Sequence, residues 1–157
     1  MQKTATSTTT SATERRLHRL GLHTRQDCVI HLPIRYEDET QLHRIASARV
    51  GQMVQLEGEI SYNEVQLRPR RQLLAMLRDD TGSIFLRWLH FYPNQQKLVS
   101  KGKLVRVRGE IRSGFNGLEI VHPRVGKAGG ALAATLTPVY PTTEGLTQPA
   151  LRKIIGE

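Results

Sequence analysis

Three features of the 157-residue sequence predict a mainly β fold, a small five-stranded Greek-key barrel with short helices before it and an extended strap and a further helix after it. Apolar residues alternate with polar ones at Val54, Leu56, Gly58, Ile60 and Tyr62, and again at Val105, Val107, Gly109 and Ile111, the period of a half-buried strand. The strand-like runs are separated by turn signals: a basic turn containing Pro69, the DDTG of 79–82 and the SGFNG of 113–117. One polar, helix-compatible stretch, 93–99, falls between the third and fourth runs. The resulting order, β-β-β-α-β-β over about 70 residues, matches the OB barrel.

Along the chain, residues 4–13 (TATSTTTSAT) carry no large apolar side chain to offset their ordering entropy, so 1–13 is expected to be a disordered leader. Residues 14–50 are expected to form a helical segment. Leu17, Leu20 and Leu22 share one side, Gly21 is a natural stop, and Thr24 caps a second short helix that Pro33 ends. PIRYEDET has no clear period. The barrel spans 51–125, with strands in MVQLEGEISY, QLLAML, SIFLRWL, LVRVRGEI and LEIVH, and with Asn116-Gly117 as the hairpin signal before the last strand. Residues 126–135 are a Gly/Ala linker. In 136–157 a Pro-rich strap leads to a helix capped by Thr147, whose stripe of Leu151, Ile154 and Ile155 is expected to have nothing to pack on, as if truncated.

Composition narrows the function. The chain carries 23 basic against 14 acidic residues, a formal charge of +9, and its bases are 17 Arg to 6 Lys. Arg presents a planar fork to phosphate oxygens and a flat face to bases, so this balance points to nucleic acid. Residues 68–112 hold 11 basic residues and 3 acidic ones, which puts most of the net charge in the barrel. No G-x-x-x-x-G-K-[ST] is present, because Gly102-Lys103 and Gly126-Lys127 lack the upstream glycine and the following hydroxyl. That excludes ATP hydrolysis by a phosphate loop in this chain. Cys28 is the single cysteine, which excludes an intrachain disulfide, and one thiol with scattered imidazoles is poor metal spacing. The absence of a long apolar run argues against a membrane partner. The cytosol is the expected compartment.

The candidate contacts follow from the barrel's ligand face, on strands two and three between the first and last hairpins. Arg68, Arg70 and Arg71 lie at the tip of the first hairpin, with no acidic residue nearer in sequence than Glu64 and Asp79. Phosphate contact is favoured there over a merely solvated turn. Arg87 lies on the same side of strand three as Phe85, and joins the candidates. Arg106 and Arg108 are set aside, since Glu57 and Glu59 on the neighbouring strand are expected to pair with them. Trp88 shares parity with Ile84 and Leu86 and reads as core. Phe91 and Tyr92 lie beyond the strand, where they either stack on bases or pack under the following helix. Phe115, flanked by glycines at a hairpin tip, has the same two options. No catalytic residue and no cofactor is assigned to the chain.

LHRLGLHTRQDCVIHLPIRYEDET (17–40), GEIRSGFNGLEIVHP (109–123) and LTPVYPTTEGLTQ (136–148) resemble the amino-terminal part of the bacterial RecG branch-migrating DNA helicases, a similarity that covers about residues 15–155. The resemblance implies that the barrel is a wedge domain, set at the branch point of a stalled fork or Holliday junction to hold its arms apart during repair and recombination. It implies too that the motor, with its ATP and Mg, lies in parts of the parent absent here. In that family aromatic side chains after strand three stack on bases where the duplex splits, which corresponds here to Trp88–Tyr92. Leu89 and Pro93 stand where some relatives carry aromatics, and the Thr/Ser run replaces a Gly-Val-Gly-Pro-like start. Branched DNA is then the partner, with other replication or repair proteins as further ones, and the chain is expected to be a monomer.

Two other functions fit the same residues. Leu74, Met76 and Phe85 share the outer face by parity and would suit a protein-interaction OB module. The charge alone would also suit a general single-stranded nucleic-acid-binding OB domain.

Overall fold

The computed structural model describes residues 11–156. Helices α1 (Ala12–Arg19) and α2 (Arg25–Ile30) are followed by a short strand, β1 (Arg35–Glu37), and one 3-10 turn, Ile45–Ser47. The barrel strands are β2 (Met53–Gln66), β3 (Gln72–Arg78) and β4 (Ser83–Trp88), then helix α3 (Pro93–Leu98), then β5 (Leu104–Gly114), β6 (Gly117–Val121) and β7 (Arg124–Lys127). Strand β8 (Thr137–Val139) and helix α4 (Gln148–Gly156) complete the chain. Of the leader expected over 1–13, residues 1–10 lie outside the described residues.

Two compact units result, one of Glu39–Ala134 and one of the two chain ends, Met1–Asp38 with Thr135–Glu157. In the barrel unit the ladder runs β2-β3-β4-β6-β5-β7, and β2 also pairs with β5, which closes the sheet on itself. A single long strand makes both pairings: Met53–Glu59 face Leu104–Glu110 of β5, and Glu59–Gln66 face Gln72–Arg78 of β3. The changeover is marked by a bulge between Ile60 and Tyr62, and by Gly58, where any Cβ would collide with the backbone carbonyl of Arg78. A bulge and a glycine are what a strand needs to turn a barrel corner.

The period-2 expectation is met where it is strongest. Leu56, Ile60, Leu73, Leu77, Leu86 and Ile111 are all fully buried in one cluster, and Trp88 joins them at 1% exposure, as its parity required. α3 plugs this barrel between β4 and β5; its Gln95 side chain accepts from the Tyr92 N–H at 2.8 Å, and Val99, just after it, is fully buried.

Several local expectations change. The segment read as a linker begins with a strand: β7 follows β6 along the same edge of β5, and together they fill the place of a fifth strand. Its sequence, RVGK, is too short and too glycine-rich to advertise a period. The last hairpin turns one residue early, because Gly114 pairs with Gly117 and leaves Phe115 and Asn116 at the tip, with Gly117 rather than Asn116 taking the positive φ of 119°. Arg108 pairs not with Glu59, which lies opposite Leu104, but with Glu39, while Arg106 does pair with Glu57 at 2.9 Å.

In the other unit PIRYEDET proves to hold β1, which pairs antiparallel with β8 of the strap so that Tyr36 faces Pro138. Three-residue strands cannot show a period, and Pro138 conceals the second of them. Nor does α4 lack a partner: Leu151 is fully buried with Leu22 and Leu146, and Leu17, Leu20, Cys28, Tyr140 and Ile155 pack around them. The helix stripe was legible, but half of its counterpart comes from the opposite end of the chain. Ser11 and Glu14 form a capping box, so α1 starts inside the segment read as leader.

Candidate nucleic-acid interface

The candidates sit on the barrel unit, and the register assigns each to an end of the sheet. β3 and β4 are antiparallel with Leu73 opposite Trp88, so the hairpin tip of Arg68, Arg70 and Arg71 and the loop of Phe91 and Tyr92 share one end. β4 and β6 are parallel with Phe85 opposite Glu119, so the tip bearing Phe115 lies at the other end, by the DDTG turn. The face expected to bind ligand stretches between them.

At the first end the two loops touch. The guanidinium carbon of Arg71 lies 4.8 Å from the centre of the Phe91 ring, within cation–π range. Phe91 is half-buried and packs against the barrel core, so it is a shelf under Arg71 more than a free ring. Tyr92, by contrast, is 76% exposed. Thus the two options left open for the pair divide between them, Phe91 packing and Tyr92 facing solvent. Arg68, Arg70 and Arg71 make no ion pair among the described residues, which leaves their charge for an external anion.

Arg87 differs. Its Nε donates to Glu119 at 2.9 Å and its Nη1 to Gln72 at 3.0 Å, with both charged side chains largely covered. That pair crosses from β4 to β6 on the outer face, where Tyr62 and Glu64 also bond side chain to side chain. The bond to Glu64 raises the Tyr62 phenol above its ordinary range. Leu74 on this face is only 2% exposed, and Met76 and Phe85 are half-buried. A peptide would find little open apolar surface there. At the far end Phe115 is 99% exposed.

The turn at that far end is fixed by Asp79. Burial pushes its carboxyl up, but hydrogen bonds from the Thr81 hydroxyl and from the backbone N–H groups of Ile45, Thr81 and Gly82 outweigh it and hold the group below the usual carboxylate range. Sequence reasoning missed three residues at the first end: Gln95, His122 and Arg124, which line a cavity beside α3. A His-Pro pair closing a strand was the available signal. As for a nucleotide, Gly102-Lys103 forms a tight turn in which Lys103 Nζ donates to the Lys97 carbonyl at 2.7 Å, so it is no phosphate cradle.

Comparison with known proteins extends this picture. The RecG wedge domain family matches residues 5–157. The ATP-dependent DNA helicase RecG of Escherichia coli K12 is 36% identical over 151 residues, covering 94% of this chain and 22% of its own length. That of Haemophilus influenzae is 38% identical over 151 residues with the same two shares. A solved structure of RecG bound to a three-way DNA junction superposes with a TM-score of 0.75 at 28% identity, over 91% of this chain and 20% of that one. The chain therefore spans about a fifth of the length of the relatives it matches. Because the similarity runs through the barrel and through both flanking segments alike, in sequence and in backbone, this chain belongs to the RecG wedge domain family.

Proposed function

We propose that the chain is the branched-DNA-binding wedge of a longer RecG-type helicase, which receives stalled forks and Holliday junctions at the branch point and parts their strands by steric and stacking contact. The observation that carries this reading is the Arg71–Phe91 contact, which joins unpaired arginines and the exposed Tyr92 ring at one end of the barrel. Arg68, Arg70 and Arg71 hold backbone phosphates, and Tyr92, seated on the loop that Phe91 anchors, stacks on the base where pairing stops. Phe115 offers a second ring at the far end of the face, and Arg87 keeps the outer face in shape through Glu119. Junction binding by a relative with the same fold supports the choice of branched DNA.

In such a helicase, ATP and Mg2+ belong to motor domains outside this chain, and the protein works in the bacterial cytoplasm. Titrating a fork, a single strand and a duplex of equal length at two salt concentrations tests the reading. Preference for the fork supports the wedge. Equal, weak, salt-sensitive binding to all three would mean a general polyanion binder, and no binding would return the face to a protein partner.

A further inference from the structure

The barrel end that carries Phe91 and Tyr92 also holds a cavity that the stacking mechanism leaves unused. It lies between α3 and the segment that follows β6, has a volume of about 400 Å³, and falls within the range of small-ligand sites. Trp88, Leu98 and Val125 give it apolar walls, and Gln95, His122 and Arg124 supply the polar groups. We propose that this cavity takes one unpaired nucleobase at the branch point, an inference that rests on the wedge reading and adds a second base site to it.

Four observations carry it. Enzymes and binding proteins that take a base out of its stack hold it between flat apolar surfaces and read its edge with a few hydrogen-bonding groups, and the lining has that make-up. Gln95 is oriented for such a role: its Oε1 is engaged by the Tyr92 N–H at 2.8 Å, which leaves the Nε2 amide to donate to ring nitrogens or carbonyls of a base. His122 has a φ of 51°, the only positive φ of a non-glycine among the described residues, and its N–H is tied to the Arg87 carbonyl at 2.7 Å. Backbone of that kind is held at a cost and gathers at binding sites. Its ring lies nearly parallel to that of His90, with centroids 6.4 Å apart, which backs the imidazole that lines the cavity.

Charge complements this shape. Arg124 is exposed and its side chain makes no hydrogen bond or ion pair among the described residues, so its guanidinium is available to the phosphate of the nucleotide whose base enters, and no carboxylate lines the cavity. Continuity with the Tyr92 loop gives the base a route, because Gln95 bonds the very residue that faces the branch.

The test compares two forks that differ only at the unpaired nucleotide adjoining the one on which Tyr92 stacks, one intact and one abasic there, using the full chain and two variants. His122→Gly removes the ring at a position where glycine is at ease, and Leu98→Trp fills the cavity from a wall residue that is 47% exposed. The wild-type protein is expected to favour the intact fork by about tenfold, and both variants to bind the two forks alike with unchanged melting temperature and unchanged duplex affinity. If the wild type prefers forks to duplex but ignores the abasic change, the cavity proposal falls and the wedge reading stands. The proposal falls equally if folded variants keep the tenfold preference, since Tyr92, intact in both, would then be reading the base. Loss of fork preference by the wild type would overturn both.

Discussion

Arg71, at a hairpin tip between β2 and β3, holds its guanidinium 4.8 Å above the ring of Phe91, in the loop between β4 and α3. The contact joins an exposed basic turn to a loop that is itself anchored in the core, so charge and ring are presented with a fixed spacing. Such preorganisation matters because each rotamer-rich side chain immobilised on binding costs about 0.5–1.5 kcal/mol.

Replacing Arg68, Arg70 and Arg71 together by Ala is expected to weaken binding to every DNA form and to flatten the slope of log affinity against log salt by up to about three. The fold should be unaffected, since the tip is exposed. A slope unchanged by the triple substitution would reduce the cluster to a solubilising turn.

Phe91 and Tyr92 should separate in a single pair of substitutions. Phe91→Ala removes a ring packed on the core and is expected to cost about 1–3 kcal/mol of stability. Tyr92→Ala should leave stability within about 0.5 kcal/mol and reduce fork binding by about 1–3 kcal/mol, with little effect on duplex. Thermal melting recorded beside the two affinities checks both; equal losses on fork and duplex for the Tyr92 variant would remove its stacking role.

Arg87 is expected to be silent in its native setting, because Glu119 neutralises it. Arg87→Ala should leave the salt slope alone, whereas Glu119→Gln, which releases the cation, should steepen the slope by about one and cost about 2 kcal/mol of stability. A flatter slope in the Arg87 variant would instead make it a direct phosphate contact.

Asp79 gives a pH signature. Its carboxyl is held below the ordinary value in the folded protein, so the stability it contributes is present above the unfolded pKa of about 3.9 and is lost as pH falls through the folded one. Asp79→Asn is therefore expected to cost about 1–3 kcal/mol at pH 7, a penalty that shrinks as the pH is lowered below about 4. Denaturation midpoints of both proteins from neutral to acid pH measure it, and a pH-independent difference would contradict the role given to the carboxylate.

How much of this was legible in the sequence depended on the range of the interaction. In β4, Ile84, Leu86 and Trp88 declared their buried face through a period of 2, and Thr24 and Thr147 declared helix starts, because each signal lies within a few residues. β1 and β8 were hidden, since three residues carry no period and their pairing is made between positions about a hundred apart. At the interface, the chemical type of Arg71 and of Phe91 could be read, but their contact is set by the β3–β4 register. The neutralisation of Arg87 by Glu119 depends on a parallel pairing between strands separated by a helix, which no local pattern encodes. His122 and Arg124 were passed over because the cavity they line is assembled from the end of β4, α3 and the segment after β6, which no local pattern joins.

The pairing of β1 with β8 makes the barrel an insertion. The chain leaves this ladder at Glu37 and returns to it at Thr137, and within the barrel unit itself the two ends meet, with the Ala133 N–H bonded to the Glu39 carbonyl at 3.2 Å. A module whose entry and exit lie side by side is a cassette in the evolutionary sense: it can be lengthened, exchanged for another barrel or excised with a short splice. Such a cassette can change in length and sequence while the segments before and after it in the chain stay under the constraint of their own small core.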